Sequence, residues 1–411
     1  MSDDIVSGLI ADLNKHSTSS KAYLQGDHAQ HTWGVEIPYL AFQWLIGGSS
    51  ILPSQRYYGL SGEEKSFKST LAVELGNWFI RDNGVHLLLD TENKTSPTML
   101  DAMTWWNGIA EQKKRAYKVC GSIGEWQTMV TRAVEHSRNM GNKEKNKREP
   151  IFVTIDSLMA RSTDEADRTL RKEGSAAERG FPVASLQVTN FLETLNLLGT
   201  TCSVAWVQHM KKSMEQTGYG TQYKEKGATA AQFSCSTHLR INKGGAFRKA
   251  KDDSAPFEGT AVEGYEMWIR TARSCVGPGD RSLMVPLCWQ HVPQEDGSTR
   301  QAMWFDWYGA LGNLLVNMKY NDKFKPKFFK EDKERLAEIL DFTEQKKNSI
   351  KCKQLDLDGA SYYAFGRSIE DDIETRDRLS NFLNITEFPS IQTADIDFEA
   401  GKLSEKKKGK K

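Results

Sequence analysis

Apolar residues recur along this chain in two patterns. Leu71–Ile80 has helical periodicity, and Trp126–Arg138 and Leu186–Leu198 read as further amphipathic helices. Near the start, Ser2 or Asp3 can cap a helix running to about Lys15. Ile5, Val6, Leu9, Ile10 and Leu13 lie on one face of it. The second pattern is the short unbroken run. Val85–Asp90 follows Asn83-Gly84, Ile151–Ile155 leads into Asp156-Ser157, and Thr201–Val207 leads into Gln208-His209. Such runs predict strands buried on both faces, as in a parallel sheet. Tyr117–Cys120 reads as another short strand. Thr237–Asn242, Tyr265–Ser274, Ser282–Trp289 and Ala302–Trp307 look like strands without long helices between them, which predicts antiparallel strands added to the parallel sheet. The fold class is α/β.

The pattern divides the chain into four parts. Residues 1–33 hold the first helix and a polar linker, Ser17–Thr32. Residues 34–318 form the α/β core. From about Tyr320 the character changes: Lys323–Lys330 is basic with aromatics, Glu334–Leu340 is helical, and Ile369–Leu383 is acidic, then helical. This predicts a small, mostly helical C-terminal domain over 319–400. Residues 401–411 are a lysine-rich tail. No internal repeat is visible.

Composition narrows the class of protein more than its function. Apolar content is moderate and charge is high, with a net charge of +1. That balance gives no global field for nucleic acid, so such contacts must come from local patches. The six cysteines are scattered without a C-x-x-C pair, which fits buried thiols in a cytoplasmic protein. The N-terminus lacks the pattern of a signal peptide, and no apolar run approaches membrane-spanning length.

The candidate chemistry centres on Gly59–Thr70, between an aromatic segment (Arg56, Tyr57, Tyr58) and the helix from Leu71. Strand, loop and helix are the context of a phosphate-binding loop, whose amides and helix N-terminus face the anion. From Gly62 the residues are Glu63, Glu64, Lys65, Ser66, Phe67, Lys68, Ser69 and Thr70, one residue away from G-x-x-x-x-G-K-[ST]. Lys68 would reach the β- and γ-phosphates of ATP, and the Ser69 hydroxyl would hold Mg²⁺. Phe67 stands where a glycine is expected. A helical φ/ψ there accepts a side chain; a left-handed one does so only at a cost. The loop alone also fits a charged connection before a core helix.

Glu92, just past a strand end, is placed to orient and deprotonate water. Asp156 ends its strand in the form of a Walker B segment and would bind Mg²⁺ through its water shell. Alone, each also fits a plain strand-end carboxylate. The charged segment after Asp156 carries Arg171, Lys172 and Arg179. Met210–Thr229 carries Lys211, Lys212, Tyr219, Tyr223, Lys224 and Lys226 among glycines. Basic residues interleaved with tyrosines suit single-stranded nucleic acid, and a solvated surface loop has the same composition.

In this order, these segments resemble the ATPase core of the RecA-type recombinases, and particularly their divergent bacteriophage members. The resemblance spans roughly Gly34–Trp307. Pro97 follows the Glu92 segment at about the family's spacing, and Val119-Cys120-Gly121 before the Trp126 helix resembles the next strand and helix. The resemblance implies Lys68 and Ser69 as phosphate and Mg²⁺ residues, Glu92 as the catalytic glutamate and Asp156 as the Walker B aspartate. It implies Gln208 as the sensor of the γ-phosphate. The DNA loops would be about Ser162–Ser185 and Met210–Thr229. Arg273–Pro278 resembles the segment whose basic residues act on a neighbouring subunit's nucleotide; Arg270 and Arg273 would be that pair. The departures are Phe67, His209 after the glutamine, the basic C-terminal end, and the i, i+3 spacing of Arg270 and Arg273, which strand alternation sends to opposite faces. The implied protein is a DNA-dependent ATPase that forms a helical filament on single-stranded DNA and pairs it with duplex DNA. Two other readings stay open: a ring-forming RecA-fold motor or loader, and a scaffold in which Phe67 has spoiled the loop.

Overall fold

The computed structural model describes residues 34–54, 56–82, 84–106, 114–143, 150–158, 186–193, 195, 202–212, 223–225, 229–249, 261–294, 296–317, 344–346, 349–351, 361–388, 394–397 and 402–405. The expected N-terminal helix and linker lie outside the described residues. So do Arg171, Lys172, Arg179, Tyr219, Lys226 and residues 406–411.

The core is an α/β assembly. A short antiparallel pair, β1 (Gly34–Glu36) and β2 (Ile51–Pro53), flanks helix α1 (Leu40–Leu45). The main sheet contains β3 (Tyr57–Gly62), β4 (Val85–Asp90), β5 (Arg115–Val119), β6 (Ile151–Asp156), β7 (Ser203–Lys212), β8 (Tyr223–Glu225), β9 (Thr237–Lys249), β10 (Val262–Arg273), β11 (Ser282–Pro293) and β12 (Thr299–Phe305). Its order is β12-β11-β10-β9-β3-β7-β6-β4-β5, with β8 on the end of β7. Neighbours from β9 to β5 are parallel, and β9 through β12 pair antiparallel. The expected parallel sheet with an antiparallel extension is therefore present.

The strands form because both faces are covered. Consecutive residues alternate between two apolar clusters. Tyr58, Leu88, Phe152 and Ala205 join one cluster, while their neighbours Tyr57, Leu89, Val153 and Val204 join the other. The first cluster packs α1, α2 (Lys68–Arg81) and α7 (Trp307–Asn317). The second packs α4 (Ile123–Lys143) and α5 (186–193). Between them in sequence lie α3 (Pro97–Trp106) and α6 (Thr229–Ser234).

Three features differ from the sequence reading. The side chain of Ser96 accepts the N–H of Met99 (3.1 Å), so Ser96 and Pro97 start α3 as cap and first residue. The last strand stops at Phe305, because Asp306 accepts the N–H of Gly309 (2.6 Å) and starts α7. β7 continues to Lys212 and pairs with β8, with Met210 opposite Glu225 and Lys212 opposite Tyr223. The ends of the glycine-bearing loop thus make a hairpin stem.

Helices α8 (Ser361–Asp371) and α9 (Ile373–Phe382) close on the core. Ile369, Leu379, Phe382, Leu383 and Ile385 enter the same cluster as α1 and α2. Glu370 accepts the N–H of Leu40 (2.7 Å) at the start of α1, and Thr386 exchanges backbone hydrogen bonds with Gly48 and Ser50. Among the described residues no helix is long and apolar enough to cross a membrane.

Candidate functional site

Parallel strands bring their carboxyl ends to one edge of the sheet, where ligands bind in open α/β folds. Here the register aligns Gly62 with His209, Ile155 with Trp206 and Asp90 with Asp156. Four adjacent strands, β3, β7, β6 and β4, therefore deliver the phosphate-loop segment, His209, Asp156 and the Glu92 turn to one place.

Gly62 ends β3 where no side chain fits: a Cβ there would lie 2.1 Å from the carbonyl of Ile241 on β9. The loop then exposes Glu63, Glu64 and Lys65 and folds back at Ser66, whose hydroxyl donates to the carbonyl of Glu63 (2.8 Å). Lys65 and Phe67 have φ of 62° and 59°. Phe67, at ψ 28°, caps α2 in the left-handed conformation. The glycine conformation is thus kept with a bulky residue in it, at a cost of about 1–2 kcal/mol. Packing offsets this: the Phe67 ring lies 5.3 Å from that of Tyr265, with the ammonium of Lys243 over both rings. Strain held in place by its surroundings is a mark of functional segments.

Lys68 opens α2 and is only 4% exposed. Its Nζ donates to the carbonyl of Glu63 and to Ser66 Oγ (3.2 Å), folded onto its own loop. Burial pushes its pKa down to about 8, against the pull of Asp156 and Glu92. Thr70 is buried in the same turn. Ser69 hydrogen-bonds Asp156, whose carboxyl burial pushes up to about 6 against that bond.

Glu92 is held by three donors. Ser157 Oγ (2.7 Å) and Nε2 of His209 (2.6 Å) meet its Oε1, and Nζ of Lys94 (2.6 Å) meets its Oε2. The His209 bond, followed by those of Lys94 and Ser157, outweighs burial and holds the carboxyl well below the ordinary range. The preceding residue is also fixed: Thr91 donates its N–H to the carbonyl of Asp156 (2.7 Å) and its hydroxyl to that of Ser157 (2.7 Å).

The residue of β7 that meets Glu92 is His209, the position read in the sequence as a departure. Alternation sends Gln208 to the opposite face, where its Nε2 is buried with no hydrogen-bond partner. Lys211, Lys212, Tyr223 and Lys224 lie on the β7–β8 stem, which leaves this same edge. Arg270 is bound to Asp280 (2.8 Å). The register slips between Thr271 and Arg273, so regular alternation does not govern the pair Arg270 and Arg273. Among the described residues no cluster of three or more His, Cys, Asp or Glu side chains is arranged to hold a metal alone.

Compared with protein-family models and with curated proteins, the chain finds no match. The class that fold and site define is an α/β core with a strained, lysine-bearing loop at the carboxyl edge of its parallel strands.

Proposed function

We propose that this chain is an ATP-dependent DNA recombinase of the RecA type, which assembles as a filament on single-stranded DNA for pairing with duplex DNA. One observation carries the reading: four neighbouring strand ends bring Lys68 and Ser69, Glu92, Asp156 and His209 together around a loop that keeps a glycine conformation without a glycine.

The donor set fits a nucleotide with Mg²⁺. A hydroxyl and a carboxylate that already share a hydrogen bond suit a cation that keeps most of its waters and takes few protein ligands. Ser69 and Asp156 would hold it, and bound Mg²⁺ would offset negative charge on the phosphates. Lys68 turns from its own loop to the phosphates, and the loop amides face the same charge. Glu92 orients the attacking water. A carboxylate gripped by three donors is a weak base, so a donor must let go before Glu92 takes a proton. His209 is the donor from β7, and β7 runs straight into the β7–β8 stem. That continuity supports a link between nucleotide state and a DNA-contacting loop, with Arg171, Lys172, Arg179 and the residues around Tyr219 as further candidate contacts.

The test is ATP hydrolysis with and without single-stranded DNA across a salt series. Strong stimulation that falls steeply with salt supports the reading, because released counterions predict that slope. Imaging the same samples distinguishes filaments from the closed rings of another RecA-fold motor. No hydrolysis under any condition sinks the ATPase.

A further inference from the structure

The turn that carries Glu92 is wound around one buried carboxylate. Asp90, the last residue of β4, is 1% exposed. Its Oδ1 accepts the N–H groups of Glu92 (2.9 Å) and Asn93 (2.6 Å). Its Oδ2 accepts those of Lys94 (3.0 Å) and Thr95 (2.8 Å). Asn93 takes a left-handed φ of 55°, which lets four successive amides converge on one side chain. A fifth donor comes from another strand. The Tyr117 hydroxyl, on edge strand β5, reaches Asp90 Oδ2 at 2.9 Å. Tyr117 is 41% exposed, so its ring contributes little to the core; its polar end is what is engaged.

We infer that Asp90 and Tyr117 are positioning residues for Glu92: they hold the turn that aims its carboxylate toward Lys68 and Asp156. The inference deepens the ATPase reading and rests on it for its catalytic consequence. An aspartate that caps a turn is common and often only stabilising. Two features take this one further. All four amides belong to the segment that starts at Glu92, so releasing them frees the candidate catalytic side chain itself. The brace also comes from outside the turn, which a local cap does not need. Burial pushes the Asp90 carboxyl up, but the bonds from Thr95, Tyr117 and Asn93 outweigh it and keep it below its ordinary value. The anchor therefore stays charged across the neutral range.

The experiment uses the full chain and the variants Asp90→Asn, Tyr117→Phe, Glu92→Gln and the double variant Tyr117→Phe/Glu92→Gln. Affinity for a fluorescent ATP analogue and single-turnover hydrolysis are measured for each, with amide hydrogen exchange over residues 92–95. Asp90→Asn keeps the size but replaces one acceptor oxygen with a donor. The expected result is a nucleotide Kd within about twofold of wild type, and hydrolysis slower by about tenfold or more for Asp90→Asn and severalfold for Tyr117→Phe. Residues 92–95 exchange faster in both. In the Glu92→Gln background, Tyr117→Phe slows hydrolysis no further, because the residue it acts through is already gone. Additive losses in the double variant overturn the inference, as does unchanged exchange over 92–95 in Asp90→Asn. A wild-type chain that binds nucleotide without hydrolysing it sinks the ATPase reading; exchange over 92–95 still decides whether Asp90 and Tyr117 hold the turn.

Discussion

Nε2 of His209 stands 2.6 Å from Oε1 of Glu92, across 117 residues of sequence. The pair joins β7 to the turn after β4, strands that are not neighbours in the sheet: β6 lies between them. His209 is fixed within β7 and Glu92 by the turn wound on Asp90, so the contact reports the position of that turn relative to β7. This bond does most to hold the Glu92 carboxyl below its ordinary value.

The charge on Glu92 has a consequence for stability. Its carboxyl is held below the ordinary value of 4.5, first by His209. The stabilisation is therefore complete above that value and is lost as pH falls toward the lower folded value. Glu92→Gln lacks it. Melting temperatures of wild type and Glu92→Gln are expected to differ most near neutral pH and to converge as pH drops below about 4.5. A difference that stays constant well below pH 4.5 excludes the charge on Glu92 as its source.

Burial pushes the Asp156 carboxyl up to about 6, and only its ionised form holds a cation. Hydrolysis is expected to fall on the acid side near that pH. Raising the Mg²⁺ concentration should move the fall to lower pH, because metal and proton compete for one carboxylate. A profile that ignores Mg²⁺ assigns the acid limb to another group.

Lys68 is expected to set the opposite limb. With its pKa pushed down to about 8 by burial, its ammonium is lost as pH rises through that value. Nucleotide affinity should weaken above about pH 8, and a binding titration between pH 7 and 9.5 reads it directly. In Lys68→Arg the charge persists, so whatever affinity remains should be level over the same range.

Phe67 separates strain from packing. Phe67→Ala loses the contact with Tyr265 and keeps a side chain at φ 59°. Phe67→Gly loses the same contact and removes the strain. The glycine variant should be the more stable of the two by about 1 kcal/mol. Equal melting temperatures would show that the loop relaxes out of the left-handed conformation once the ring is gone.

Sequence exposed the sheet because its strands are buried on both faces: β4 covers Val85–Asp90 and β6 covers Ile151–Asp156, close to the expected runs. It made the candidate residues Lys68, Glu92 and Asp156 legible because each follows such a run or the motif itself. What it could not show was long-range geometry. Alternation tells that Gln208 and His209 face opposite ways, but not which one faces Glu92. The left-handed backbone of Phe67 has no local signal beyond the motif's glycine. The register slip after Thr271 depends on how β10 meets β9. The sequence reading misses the starts of α3 and α7, although Ser96-Pro97 and Asp306 are the residue types that cap and open helices.

Glu370 should give the attachment of the C-terminal helices its own pH dependence. It is buried between α8 and α1, bonded to the N–H of Leu40 and 3.4 Å from Nε of Arg376. Burial pushes its carboxyl from 4.5 up to about 7, against both partners. A raised folded value means its contribution is complete below the ordinary carboxylate value and is lost as pH rises through about 7. The loss is at most roughly 3 kcal/mol. Glu370→Gln keeps the shape and an acceptor for Leu40 but cannot ionise. Melts between pH 5 and 8 should show wild type losing stability relative to Glu370→Gln as pH rises. Parallel curves across that range would mean that Arg376 neutralises the buried charge and that α8 and α9 stay attached independently of it.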